Sequence, residues 1–116
     1  MQVLCRKNTM ATYKILGQVN PTTTALSTLY TVPGAKEAFV STLSICNFGA
    51  TTANVTVAVR ENGAAIDPKQ HILYNIPIVP ADSLFLTLGL SVDQNDVISV
   101  SSTTSSIAFG LFGSEI

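Results

Sequence analysis

Apolar and polar residues alternate with a period of two along much of this chain. Ala53, Val55, Val57 and Val59 alternate with Asn54, Thr56, Ala58 and Arg60. Leu84, Leu86 and Leu88 alternate with Phe85 and Thr87, and Ile107, Phe109 and Leu111 with Ala108, Gly110 and Phe112. A strand turns successive side chains to opposite faces, so this is the pattern of half-buried strands. Phe39, Leu43 and Ile45 read as one face of a further strand ending near Cys46. Tyr13–Leu16, Leu26–Val32, His71–Ile76 and Asp96–Ser101 bring the expectation to about eight short strands. Turn signals separate them: Pro33-Gly34, Asn47-Phe48-Gly49, Asn62-Gly63, Asp67-Pro68, Pro80-Ala81-Asp82 and Asp93-Gln94-Asn95-Asp96. Asn62-Gly63 predicts a hairpin turn, because both residues tolerate positive φ. The Thr-rich stretch 18–27, with Pro21, predicts an extended loop. No window sustains a 3.6-residue period, so helix content is expected to be close to nil. The prediction is all-β: a single antiparallel β-sandwich of jelly-roll or Ig-like type over residues 13–116, with a short N-terminal arm over 1–12.

Composition narrows what such a domain does. The chain has 116 residues, of which 47% are hydrophobic and only 11% charged, with no Trp and a formal net charge of −1. Hydrophobicity this high with so little charge excludes a disordered chain. Six Lys and Arg against seven Asp and Glu leave no basic surplus for neutralising phosphates, so no nucleic-acid partner is expected. No apolar run approaches the ~20 residues that span a bilayer, and Met1–Leu16 holds no continuous apolar core of a secretory signal. Neither membrane contact nor export is therefore expected. Cys5 and Cys46 are too few and too far apart for a disulfide framework and read as unpaired thiols. Residues 1–9 differ in texture from the rest of the chain and contain Arg6 and Lys7, a third of the positive charge. An arm of that length orders only against something else, and a neighbouring subunit is the natural candidate.

Groups for chemistry are scarce. His71 is the single histidine and has no metal-ligating partner at a suitable spacing, so it reads as a strand-edge residue. A nucleophile needs a base oriented by a third group, and no Ser or Thr stands in such a constellation. Asp93-Gln94-Asn95-Asp96 opens like a calcium loop, but Ile98 and Thr104 stand where Gly and Glu are required, so a β-turn into the next strand is expected. Asn54-Val55-Thr56 is a glycosylation sequon placed mid-strand and is read as chance. Tyr13, Tyr30, Tyr74, Phe48 and Phe112 are expected in the core or in strand pairs rather than as exposed anchors. No catalytic residue, cofactor site or metal site is expected, and the chain does not read as an enzyme.

Five segments taken in order carry a resemblance. They are Tyr13-Lys14-Ile15-Leu16-Gly17-Gln18, Thr28-Leu29-Tyr30-Thr31-Val32-Pro33, Leu43-Ser44-Ile45-Cys46-Asn47-Phe48-Gly49, Val57-Ala58-Val59-Arg60-Glu61-Asn62-Gly63 and Phe109-Gly110-Leu111-Phe112-Gly113-Ser114-Glu115-Ile116. By their order and spacing the chain resembles a family of small virion structural proteins of tailed bacteriophages, cyanophages especially. Family starts resemble Met-Ala-x-Tyr-Lys, matched by Met10-Ala11-Thr12-Tyr13-Lys14, so residues 1–9 depart from the pattern. The resemblance implies a β-sandwich that coats or joins parts of a virion, with no catalytic residues to carry over. The expectation is a capsid decoration (cement) protein, made in the host cytoplasm and placed on the capsid exterior. Its partners would be the major capsid protein and neighbouring copies of itself in a homo-oligomer. Arg6 and Lys7 in the arm, with Phe112 and Ile116 in an apolar C-terminal tail, are the expected partner contacts. The alternative is a tail, baseplate or fibre component. A third reading, a host-surface carbohydrate-binding module, would need Tyr30 or Tyr74 to stack a sugar.

Overall fold

The computed structural model describes residues 12–22 and 24–116, so Cys5, Arg6, Lys7 and the rest of the arm lie outside the described residues. Eight strands follow one another: β1 (Thr12–Val19), β2 (Ser27–Thr31), β3 (Ala38–Asn47), β4 (Ala53–Arg60), β5 (His71–Ile78), β6 (Ser83–Val92), β7 (Val97–Ser102) and β8 (Ile107–Glu115). The helical elements among the described residues are two single 3-10 turns, Glu61–Gly63 and Pro68–Gln70. The strands form two four-stranded antiparallel sheets, a front sheet in the order β1-β8-β3-β6 and a back sheet in the order β2-β7-β4-β5. Strand β1 pairs with β8, β2 with β7, β3 with β6 and β4 with β5. That nesting is a long hairpin rolled over on itself, which is jelly-roll connectivity rather than the Ig-like alternative. Every connection except β4–β5 crosses between sheets.

The core lies between the sheets. Val40, Leu43, Ile45, Ile107, Phe109 and Leu111 from the front meet Val32, Val55, Val57, Ile98 and Val100 from the back, all essentially inaccessible to solvent. The inward positions of β4, β6 and β8 are the ones the alternation marks. Strand β3 is different. Phe39 is 46% exposed on the outer face while Leu43 and Ile45 point inward. The register slips between Val40 and Thr42 against both neighbours, and Ser41 donates its hydroxyl to the Phe112 carbonyl at 3.2 Å. Such a bulge swaps the face that odd-numbered residues occupy. Strand β1 has its own register break close by, between Ile15 and Gly17, opposite the Phe112–Leu111 step of β8.

Three further expectations are corrected. Asn62 and Gly63 do take positive φ (54° and 70°), but they form a 3-10 turn, and pairing with β4 resumes only at β5. The loop is long because Asp67 starts a second turn, where its side chain accepts from Lys69 N–H and its own N–H donates to Gln70 Oε1. Residue 12 belongs to β1, with Thr12 opposite Glu115, and β1 runs through Val19, which shortens the predicted 18–27 loop.

Candidate interaction surface

Strand register places the outer face of the front sheet in rungs. Tyr13, Ser114, Phe39 and Ser91 form one; Ile15, Phe112, Thr42 and Thr87 the next; then Gln18, Gly110, Ser44 and Phe85; then Ala108, Cys46 and Ser83. No rung contains a charged side chain. Tyr13 is 85% exposed and Phe85 70%, and Ile15 and Phe39 are also exposed. The Phe112 ring lies over Gly110, where an added Cβ would come within 3.1 Å of it. Apolar rings interleaved with hydroxyls on an uncharged sheet face make a surface that loses little hydration free energy when covered, because no ion has to be desolvated.

Charge is segregated along the sandwich as well. Loops 32–37, 61–70 and 93–96 share one end and carry Lys36, Glu37, Glu61, Asp67, Lys69, Asp93 and Asp96. Loops 20–26, 48–52, 79–82 and 103–106 share the other, where Asp82 is the one charged residue among those described. Phe48 and Val79 are exposed at that end. Within strands the described charges are Lys14, Arg60 and Glu115. Arg60 is folded down, donating to the carbonyls of Gly63 and Ala64 and to Ser99 Oγ.

Glu115 is the buried charge. It accepts from Lys14 Nζ at 2.8 Å through Oε1 and from the Tyr30 hydroxyl through Oε2, tying β1 and β8 to β2 across the sandwich. Lys14 and then the Tyr30 hydroxyl hold its carboxyl below the ordinary carboxylate range, against the opposing effect of burial. Burial, reinforced by the Glu115 carboxylate, pushes the Tyr30 phenol well above its ordinary value. All members are internal partners of one another, so the cluster reads as a fastening between sheets.

The sequence-predicted site residues fare unevenly. Arg6 and Lys7 lie outside the described residues. Phe112 is half-buried on the outer face. Ile116 is exposed, but its segment is no free tail: β8 is an inner strand, and Ile116 exchanges two backbone hydrogen bonds with Glu37. Ile116 and Phe39 help line a groove of about 440 Å³ at the charged end. Of the aromatics expected inside, Tyr30 is buried, whereas Tyr13, Tyr74 and Phe48 are exposed. Phe85 stands on the outer face, where its alternation with Leu84, Leu86 and Leu88 puts it, whereas the bulge turns Phe39 outward, away from the face it was expected to share with Leu43 and Ile45. Tyr30, being buried, cannot stack a sugar. His71 begins an edge strand, with Nδ1 3.1 Å from the Pro68 carbonyl and its ring edge-on to Tyr74. Asp93–Asp96 is a turn closed by Asp96 N–H to the Asp93 carbonyl, and the Asp96 carboxylate accepts from the N–H groups of Asn62 and Asp93. Among the described residues no group of three His, Cys, Asp or Glu is placed to hold a metal ion. Cys46 is exposed on the outer face and makes no disulfide among the described residues. Comparison with protein-family models, with curated proteins and with solved structures returns no match to this chain.

Proposed function

We propose that this chain is a structural virion protein of a tailed bacteriophage, a capsid decoration protein that binds the major capsid lattice and stabilises it. The observation that carries the reading is the uncharged, aromatic-bearing outer face of the front sheet, from Tyr13 across Phe112 and Phe39 to Phe85. A face of that kind suits burial against another protein. The scaffold suits a coat role as well. A jelly roll with mostly short loops is rigid, and repetition around a shell multiplies weak contacts into firm attachment. The order of the five matching segments supplies the virion context.

Quantitative mass spectrometry of purified virions from the encoding phage tests this. A copy number comparable with that of the major capsid protein supports it. A copy number far below that, recovered with tails after particle disruption, replaces the lattice with the tail as the site of attachment. Absence from purified virions overturns the reading.

A further inference from the structure

The four edge strands of the two sheets differ in how they are guarded. Edges avoid pairing with other chains by being short or irregular, or by carrying charge or proline. β2 has five residues; β5 contains Pro77 and a left-handed Asn75; β1 carries Lys14 and a register break at Ile15/Gly17. β6 has ten residues, Ser83–Val92, with neither charge nor proline, and it pairs only with β3. Its bulge at Leu88-Gly89, opposite Ser41, leaves the alternation of exposed and half-buried residues intact. Its far side therefore presents open backbone donors and acceptors beside a row of half-covered leucines.

We infer that β6 pairs antiparallel with β6 of a second copy about a twofold axis at Thr87, continuing the front sheet from one molecule into the next. Centring on Thr87 sets Phe85 opposite Gly89 of the second copy, Leu84 opposite its Leu90 and Leu86 opposite its Leu88. A Cβ at Gly89 would meet nothing within 4 Å, so open space there receives the exposed Phe85 ring. The leucines, each half-buried in the single chain, cover one another. Displacing the register by one residue turns outer faces against inner ones, and displacing it by two loses the Phe85–Gly89 pair. The contact is isologous and closes at two copies, because each molecule has one such edge. Asp82 and Asp93 flank β6, so pairing brings Asp82 of one copy near Asp93 of the other at each end. Added salt screens that repulsion and tightens the dimer. The inference concerns the isolated chain and stands or falls independently of the virion reading.

Light scattering on the full chain is expected to give twice the 12.2 kDa chain mass, with the dimer favoured as salt is added. Hydrogen exchange should show protection at the β6 amides that point away from β3. Thr87→Lys places two ammonium groups opposite each other on the axis; the mass should halve while the circular dichroism spectrum and thermal transition are kept. Tyr13→Ala, at the other edge of the sheet, should leave the dimer intact. A wild-type chain that stays at 12.2 kDa overturns the inference. So does a dimer whose open-edge β6 amides exchange freely, one that survives Thr87→Lys, or one that Tyr13→Ala dissociates. If Thr87→Lys fails to fold, the wild-type mass and exchange pattern decide alone.

Discussion

Asn47 is fully buried, and each of its polar groups is used. Its Nδ2 donates to the carbonyls of Thr51 and Ile78, and its Oδ1 accepts from Gly49 N–H. Its own N–H donates to the Asp82 carbonyl and its carbonyl accepts from Ala81 N–H, which holds Ala81 at a left-handed φ of 61°. One side chain thus fastens loop 48–52 to the end of β5. Asn47→Leu keeps the branch at Cγ and strands two carbonyls and one N–H, so a loss of about 3 kcal/mol is expected in chemical denaturation. Glu115 gives the fold a pH dependence. Its folded pKa is lowered, so its contribution is complete above the unfolded carboxyl value of about 4.3 and fades as pH falls through the lower folded value. Denaturation midpoints taken across that acid range should fall less steeply in Glu115→Gln than in the parent, and a slope unchanged by the substitution would remove Glu115 from the account. Neither role is legible in the sequence, where Asn47 reads as a turn residue and Glu115 as part of a tail.

At the scale of elements, the alternation located strands well and faces less well. β4, β6 and β8 keep a regular period and their inward residues follow from it. β3 does not, because the bulge at Ser41 is a property of three strands in register and leaves no mark in a single one. The turn dipeptide Asn62-Gly63 correctly marks positive φ, yet the length of its loop depends on where β5 finds its partner on β4. Close approach of β8 to β3 explains Gly113: a Cβ there would stand 2.1 Å from the Phe39 carbonyl oxygen. Gly113→Ala must push the strands apart and is expected to cost about 2 kcal/mol, in the range of overpacked cores. Gly34, where a Cβ meets nothing within 4 Å, is the control. Equal midpoints for Gly113→Ala and Gly34→Ala would refute the steric explanation.

The whole molecule separates charge from its aromatic-bearing front face. Five carboxylates and two lysines of the described loops gather at one end, and the front face and the opposite end are left almost bare of charge. If that face seats the protein on a capsid lattice, occupancy on particles lacking the protein should change little with ionic strength, since few ion pairs form. Phe39→Lys would place a buried ammonium in the contact, and occupancy should drop steeply without loss of fold; strong salt dependence with wild-type binding by Phe39→Lys would move the contact elsewhere. The sequence by itself determined the class of fold, the number of strands and the scarcity of charge, because alternation, turn chemistry and composition are local quantities. Only the tertiary structure decided the jelly-roll connectivity, the outward turn of Phe39, the burial of Glu115 and the unguarded edge at β6. Each of those depends on which strand lies beside which, and pairing partners tens of residues apart leave no signature in either strand alone.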